Sequence, residues 1–88
     1  MDTKGLSDSL GRLGNAVETN DGEALADCFT VDGVYDDYFF GRQEGRTGIK
    51  QMLTHFYEGG TNFRWEFFNC IADGERGYAR YRFRYDSL

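Results

Sequence analysis

The sequence predicts an α+β fold, and three observations predict it. Apolar residues recur at helical spacing in three segments, beginning at Leu6, Ala24 and Ile49. Two long segments near the end, 62–71 and 77–85, alternate as strands do. Between them stands Asp73-Gly74, a hairpin signal. Together with a short strand in the middle, the order is α-α-β-α-β-β, which reads as α+β. Eighty-eight residues make one domain, 1–88, with no linker or internal repeat.

The first helix rests on Leu6, Leu10, Leu13 and Val17, one apolar stripe. Ser7 or Thr3 is placed to cap its start. Gly11 and Gly14 weaken it in isolation and let it approach another element closely. Asn20-Asp21-Gly22 breaks it, and Asp21 caps a short second helix with Ala24, Leu25, Cys28 and Phe29 inward. Thr30–Gly33 is a turn. Val34–Asp37 is a short strand, Tyr38–Gly41 an apolar loop, and 42–46 returns beside the strand. Thr47 caps the third helix, whose stripe is Ile49, Met52, Leu53 and Phe56. Gly59-Gly60 ends it. On the final hairpin, Phe63, Trp65, Phe67, Ala79, Tyr81, Phe83 and Tyr85 share the face that meets the helices. Arg64, Glu66, Phe68, Cys70, Tyr78, Arg80, Arg82 and Arg84 share the other.

Composition narrows the function. Eight Phe, six Tyr and one Trp give a short chain large buried surfaces despite few aliphatic residues. A net charge of −5 argues against a nucleic-acid partner. The run Arg80-Tyr81-Arg82-Phe83-Arg84-Tyr85 does not change that, because alternation sends arginines and aromatics to opposite faces. No apolar run approaches membrane-spanning length, so no membrane partner is expected. The acidic, polar start MDTKGLSDSL is no secretory signal. Cys28 and Cys70 lack metal-ligand spacing and read as two buried free thiols in a cytoplasmic protein, with a bridge between them as the unsupported alternative. One His and scattered Asp make no metal site, and no cofactor is expected.

The stretch EALADCFTVDGVYDDYFFGRQEGRTGIKQMLTHFYEGG carries a resemblance. Its acid-bearing strand after FTVDGVYDD and its Gly45-Arg46-Thr47-Gly48-Ile49 helix opening are similar to the nuclear transport factor 2-like superfamily, in its SnoaL-like and ketosteroid-isomerase-like branch. The resemblance covers nearly the whole chain. It implies three helices on a curved antiparallel sheet, a cone-like, cystatin-like roll enclosing a pocket. It also implies two further strands after the last hairpin, so the expected fold is C-terminally shortened. A homodimer or higher homo-oligomer would cover the open edge or the outer face around Phe68, Tyr78 and Arg82.

The same resemblance places Asp37 where the isomerase branch has its proton-shuttling carboxylate, with Tyr35 or His55 assisting. The branch's oxyanion tyrosine falls near Leu13, and its second oxyanion acid falls beyond Leu88, so that constellation is incomplete. Read from the residues alone, Asp36 and Asp37 equally face water or pair with Arg42 or Arg46. His55 sits about 110° from the centre of its helical stripe, a flank that serves either a pocket mouth or a half-exposed structural role. The aromatics Tyr38, Phe40, Tyr57, Trp65, Tyr81 and Phe83 suit a flat apolar ligand, or simply core. Two functions follow. One is a small-molecule SnoaL-like domain, an isomerase, cyclase or dehydratase type of catalyst on an apolar carbonyl compound. The other is a non-catalytic association domain.

Overall fold

The computed structural model describes residues 2–88. Helices α1 (Thr3–Glu18) and α2 (Gly22–Asp27) precede strands β1 (Val34–Asp37) and β2 (Gly41–Glu44). Helix α3 (Gly45–Gly59), β3 (Gly60–Asp73) and β4 (Arg76–Ser87) follow. This is the predicted α+β order. The expected single curved sheet is instead two separate antiparallel hairpins among the described residues, β1–β2 and β3–β4. Helix α1 packs along β3, and α2 packs against α3.

The helix ends show which local signals prevail. Asp2, rather than Thr3 or Ser7, caps α1: its Oδ1 accepts the Gly5 amide at 2.6 Å. An ionised acceptor holds an N–H more strongly than a hydroxyl does. Asp21 caps α2 as expected, accepting from the Ala24 amide at 3.0 Å. Helix α3 starts two residues before Thr47. The chain leaves β2 and enters the helix through Gly45, whose φ of +68° suits glycine, and no side chain among the described residues caps it. At its other end Gly60 is extended, so α3 runs directly into β3.

The core is one cluster in which Val17, Leu25, Ile49, Met52, Leu53 and Phe63 are essentially solvent-free. Phe63 is its aromatic hub. Its ring stacks on Phe56 and Tyr85 at 5.9 and 5.0 Å and tilts against Tyr57 at 4.7 Å. The final hairpin has the expected facing. Trp65 pairs with Phe83 and Phe67 with Tyr81 on the helix side, while Arg64, Arg80, Arg82 and Arg84 are exposed on the other.

Strict alternation fails at two places. The register shifts between Thr61 and Arg64 and again between Phe68 and Ile71. Asn62 (φ 56°) and Asn69 (φ 54°) stand in those gaps, in the left-handed conformation that asparagine tolerates. An extra residue at each bulge changes the phase of β3. Cys70, expected on the outer face, is therefore half-buried. Ile71 takes the outer position opposite Tyr78, and the two are 60% and 55% exposed. Both strands also run closer to the turn than predicted. Asp73 pairs with Arg76, leaving Gly74-Glu75 as the turn, with Gly74 at φ +64°. Both cysteines are free thiols.

Candidate functional site

β1 and β2 pair from Val34–Glu44 to Asp37–Gly41, leaving Tyr38, Phe39 and Phe40 as a three-residue loop. Gly41 closes it at φ +80°. The backbone of this loop is held by side chains. Asp37 Oδ2 accepts from the amides of Phe39 at 3.0 Å and Phe40 at 2.9 Å. Gln43 Nε2 donates to the Phe40 carbonyl at 2.9 Å. Such a side-chain turn is a known habit of aspartate. Tyr35 and Asp37 are half-buried on one side of β1, and Asp36 is exposed.

The arginines that could pair with these acids make their hydrogen bonds to other carboxylates, although Arg42 stands opposite Asp36 in the register. Arg42 Nε donates to Glu44 at 2.8 Å. Arg46 bridges Asp27 at 2.7 Å and Glu23 at 2.9 Å, and Lys50 also holds Glu23 at 2.6 Å. This surface network joins α2 to α3.

An open cleft of about 650 Å³ lies beside β1. One wall is the first hairpin, with Tyr35, Asp36, Asp37, Tyr38 and Phe39. The other is the helix side of the second hairpin, with Trp65, Phe67, Tyr81 and Phe83. Leu10, Leu13, Phe29, Val34 and Phe56 complete it. The cleft forms because the inner face of β3–β4 is longer than the helices cover. Phe63 is sealed in the core, whereas Tyr81, further along, is 58% exposed.

Of the residues singled out from the sequence, the fold brings Asp37, Tyr35, Tyr38, Trp65, Tyr81 and Phe83 to this cleft. His55, Phe40 and Tyr57 lie outside its lining. His55 is exposed, with Nδ1 2.7 Å from Glu58 Oε1, a partner one turn along the same helix. Phe40 packs its ring against His55 at 5.8 Å and Phe56 at 5.6 Å. Tyr57 donates its hydroxyl to the carbonyls of Val17 and Glu18, tying α3 to the end of α1. Phe39 was missed, although it follows Tyr38 in the loop, whereas Phe67, read with Trp65 on the inner aromatic face, joins the lining. Leu10, Leu13, Phe29 and Phe56 belong to stripes read wholly as core, and their edges reach the cleft.

The electrostatics are asymmetric. Burial pushes the Tyr35 phenol well above the usual tyrosine range, and Asp37 and then Tyr81 push it further. Tyr35 is therefore a neutral hydrogen-bond donor at any ordinary pH. Trp65 carries a buried Nε1–H with no acceptor among the described residues. Asp37 supplies an acceptor whose second oxygen, Oδ1, is not used by the loop amides. Such a cleft can hold an apolar molecule, donate to an oxygen on it and exchange a proton with it. Among the described residues, no group of three or more His, Cys, Asp or Glu side chains is arranged to hold a metal ion. No helix among them is long and apolar enough to cross a membrane.

Helices on antiparallel hairpins with a lateral cleft define the class of nuclear transport factor 2-like and ketosteroid-isomerase-like domains. Within it, residues 11–87 match the SnoaL-like domain, and the chain belongs to that family. Three solved structures share the fold. A protein from Novosphingobium aromaticivorans provisionally designated an aromatic ring hydroxylase is 22% identical, with a TM-score of 0.87 over 98% of this chain and 66% of its own. A hypothetical protein from Catenulispora acidiphila with a ketosteroid isomerase-like fold, in complex with trimethylamine, is 18% identical, with a TM-score of 0.80 over 88% of this chain and 60% of its own. A provisionally designated polyketide cyclase from Sinorhizobium meliloti is 21% identical, with a TM-score of 0.76 over 97% and 76%. The chain thus spans less than two thirds of the first two structures. No curated protein matches its sequence significantly.

Proposed function

We propose that this domain binds a small, flat, largely apolar carbonyl compound in the cleft. Asp37 then moves a proton alpha to the carbonyl, as in isomerisation, cyclisation or dehydration. The observation that carries this reading is the pairing of Asp37 with a neutral, half-buried Tyr35 on the wall of an aromatic cleft. Oδ1 of Asp37 is the base, and Tyr35 donates to the oxygen on which negative charge develops. His55 has no part, because it stands outside the cleft with Glu58. The designation of one structural neighbour as a polyketide cyclase supports chemistry of this kind. Two free thiols support a reducing, cytoplasmic setting.

The test uses 1-tetralone, a flat cyclic ketone. Trp65 is the only tryptophan, so its fluorescence reports binding in the cleft. Exchange of the ketone's alpha protons with deuterated water, followed by NMR, reports proton transfer. The expected outcome is fluorescence quenching together with protein-dependent exchange that Asp37→Asn abolishes. Exchange that persists in Asp37→Asn removes Asp37 as the base, and absence of both signals removes the reading.

A second reading, an association domain, draws on the outer face, where Phe68, Ile71 and Tyr78 are exposed together. Sedimentation above the monomer mass, reversed by Phe68→Lys, with no ligand bound in the cleft, would favour it.

A further inference from the structure

We infer that Asp37 is also a positioning residue. Its carboxylate tethers the Tyr38–Phe40 loop as an aromatic flap, and that flap forms one side of a clamp for flat aromatic rings. The inference rests on reading the cleft as a ligand site, but not on proton transfer. Four observations carry it. The amides of Phe39 and Phe40 both donate to one oxygen of Asp37. The loop's inner end is anchored, since the Phe40 ring lies against Phe56 and its carbonyl accepts from Gln43. The outer two side chains are not packed: Tyr38 is 92% and Phe39 71% exposed, although both border the cleft. Their rings meet edge to face at 5.3 Å, which orders them relative to each other.

Across the cleft, Tyr81 presents a third exposed ring, held edge-on to Trp65 at 5.9 Å. Large aromatic faces left in water on both sides of one cleft match the chemistry of a planar ring. Each face prefers offset or edge-to-face contact with another π-system over hydration. The Asp37 tether fixes where the flap side of the clamp stands. A loop of three residues between strands has few backbone bonds of its own, so losing the two carboxylate bonds frees Tyr38 and Phe39 to move. One oxygen of Asp37 thus shapes the ligand site while the other remains free to meet the ligand.

Amide hydrogen exchange of the unaltered protein is the first test. Phe39 and Phe40 should exchange at least tenfold more slowly than unstructured amides, the factor expected for one net hydrogen bond. Exchange at the unstructured rate overturns the tether whether or not any variant folds. Asp37→Ala should lose that protection while the β3 and β4 amides keep theirs, and Asp37→Asn should restore it through its amide oxygen. Equal loss in both variants overturns the inference. Binding of 2-naphthol, which has no ketone to enolise, tests the clamp apart from catalysis. Tyr38→Ala, Tyr81→Ala and Asp37→Ala should each weaken it at least fivefold, in line with an aromatic contact. Unchanged 2-naphthol affinity in all three overturns the clamp. Failure of 1-tetralone exchange alone touches only the role of Asp37 as a base.

Discussion

Two glycines on one helix provide a test of how α1 sits, because the same substitution should act in opposite directions. Gly11 is exposed, and a Cβ added there meets nothing within 4 Å. Gly14 is buried, and its added Cβ would lie 3.0 Å from the Trp65 carbonyl oxygen and 3.5 Å from the Phe67 ring. Alanine in a helix interior is favoured over glycine by about 0.8–1 kcal/mol. At Gly11 that gain is uncompensated. At Gly14 it is offset by overpacking of ~1–3 kcal/mol, since the neighbour is strand backbone and does not rotate away. An unfolding entropy near 2.1 cal/mol/K per residue gives about 0.19 kcal/mol/K for 88 residues. Gly11→Ala should therefore raise Tm by about 5 °C, while Gly14→Ala should leave it unchanged or lower it by up to about 10 °C. Thermal unfolding followed by far-UV circular dichroism measures both. If Gly14→Ala stabilises as much as Gly11→Ala, α1 does not lie against β3 at Trp65, and the wall of the cleft is misplaced.

Two further outcomes are expected. Phe63→Ala empties the aromatic hub, where Phe63 is only 2% exposed, and should cost ~3–5 kcal/mol. Urea unfolding read by Trp65 fluorescence checks it, and a loss below about 1 kcal/mol would contradict the central place of that ring. The raised Tyr35 pKa also has a sign. The fold favours the neutral phenol, so the stability it confers is complete below the usual tyrosine range and declines as pH rises through it. Tyr35→Phe should accordingly lose less Tm than the parent between neutral pH and pH about 11, and an identical loss would speak against a buried phenol.

Much of the architecture was legible because it depends on local periodicity. The stripes Leu6–Val17 and Ile49–Phe56 became α1 and α3, and Val34–Asp37 became β1 with its return strand. The alternation from Phe63 to Phe67 placed those rings toward the helices. The site was legible in part. Asp37, Tyr35 and Trp65 reach the cleft through a strand's simple two-residue period. His55 and Tyr57 could not be placed that way, because each had a choice of partner. Tyr57 found carbonyls at the end of α1, some forty residues back in the chain, and His55 found Glu58 on its own solvent flank. The hydrogen bonds from Asp37 to the Phe39 and Phe40 amides had a local signal, an aspartate opening a short loop closed by glycine.

By itself the sequence determined the class of fold, the order of elements and the inward set of aromatics, because each follows from which side chains repeat at the period of a helix or a strand. The tertiary structure alone decided the bulges at Asn62 and Asn69. It alone decided the split into two hairpins and the limit of helix cover that leaves Tyr38, Phe39 and Tyr81 around an open cleft. Those features arise where distant segments compete for the same surface and the same hydrogen-bond partners, a contest that local spacing does not record.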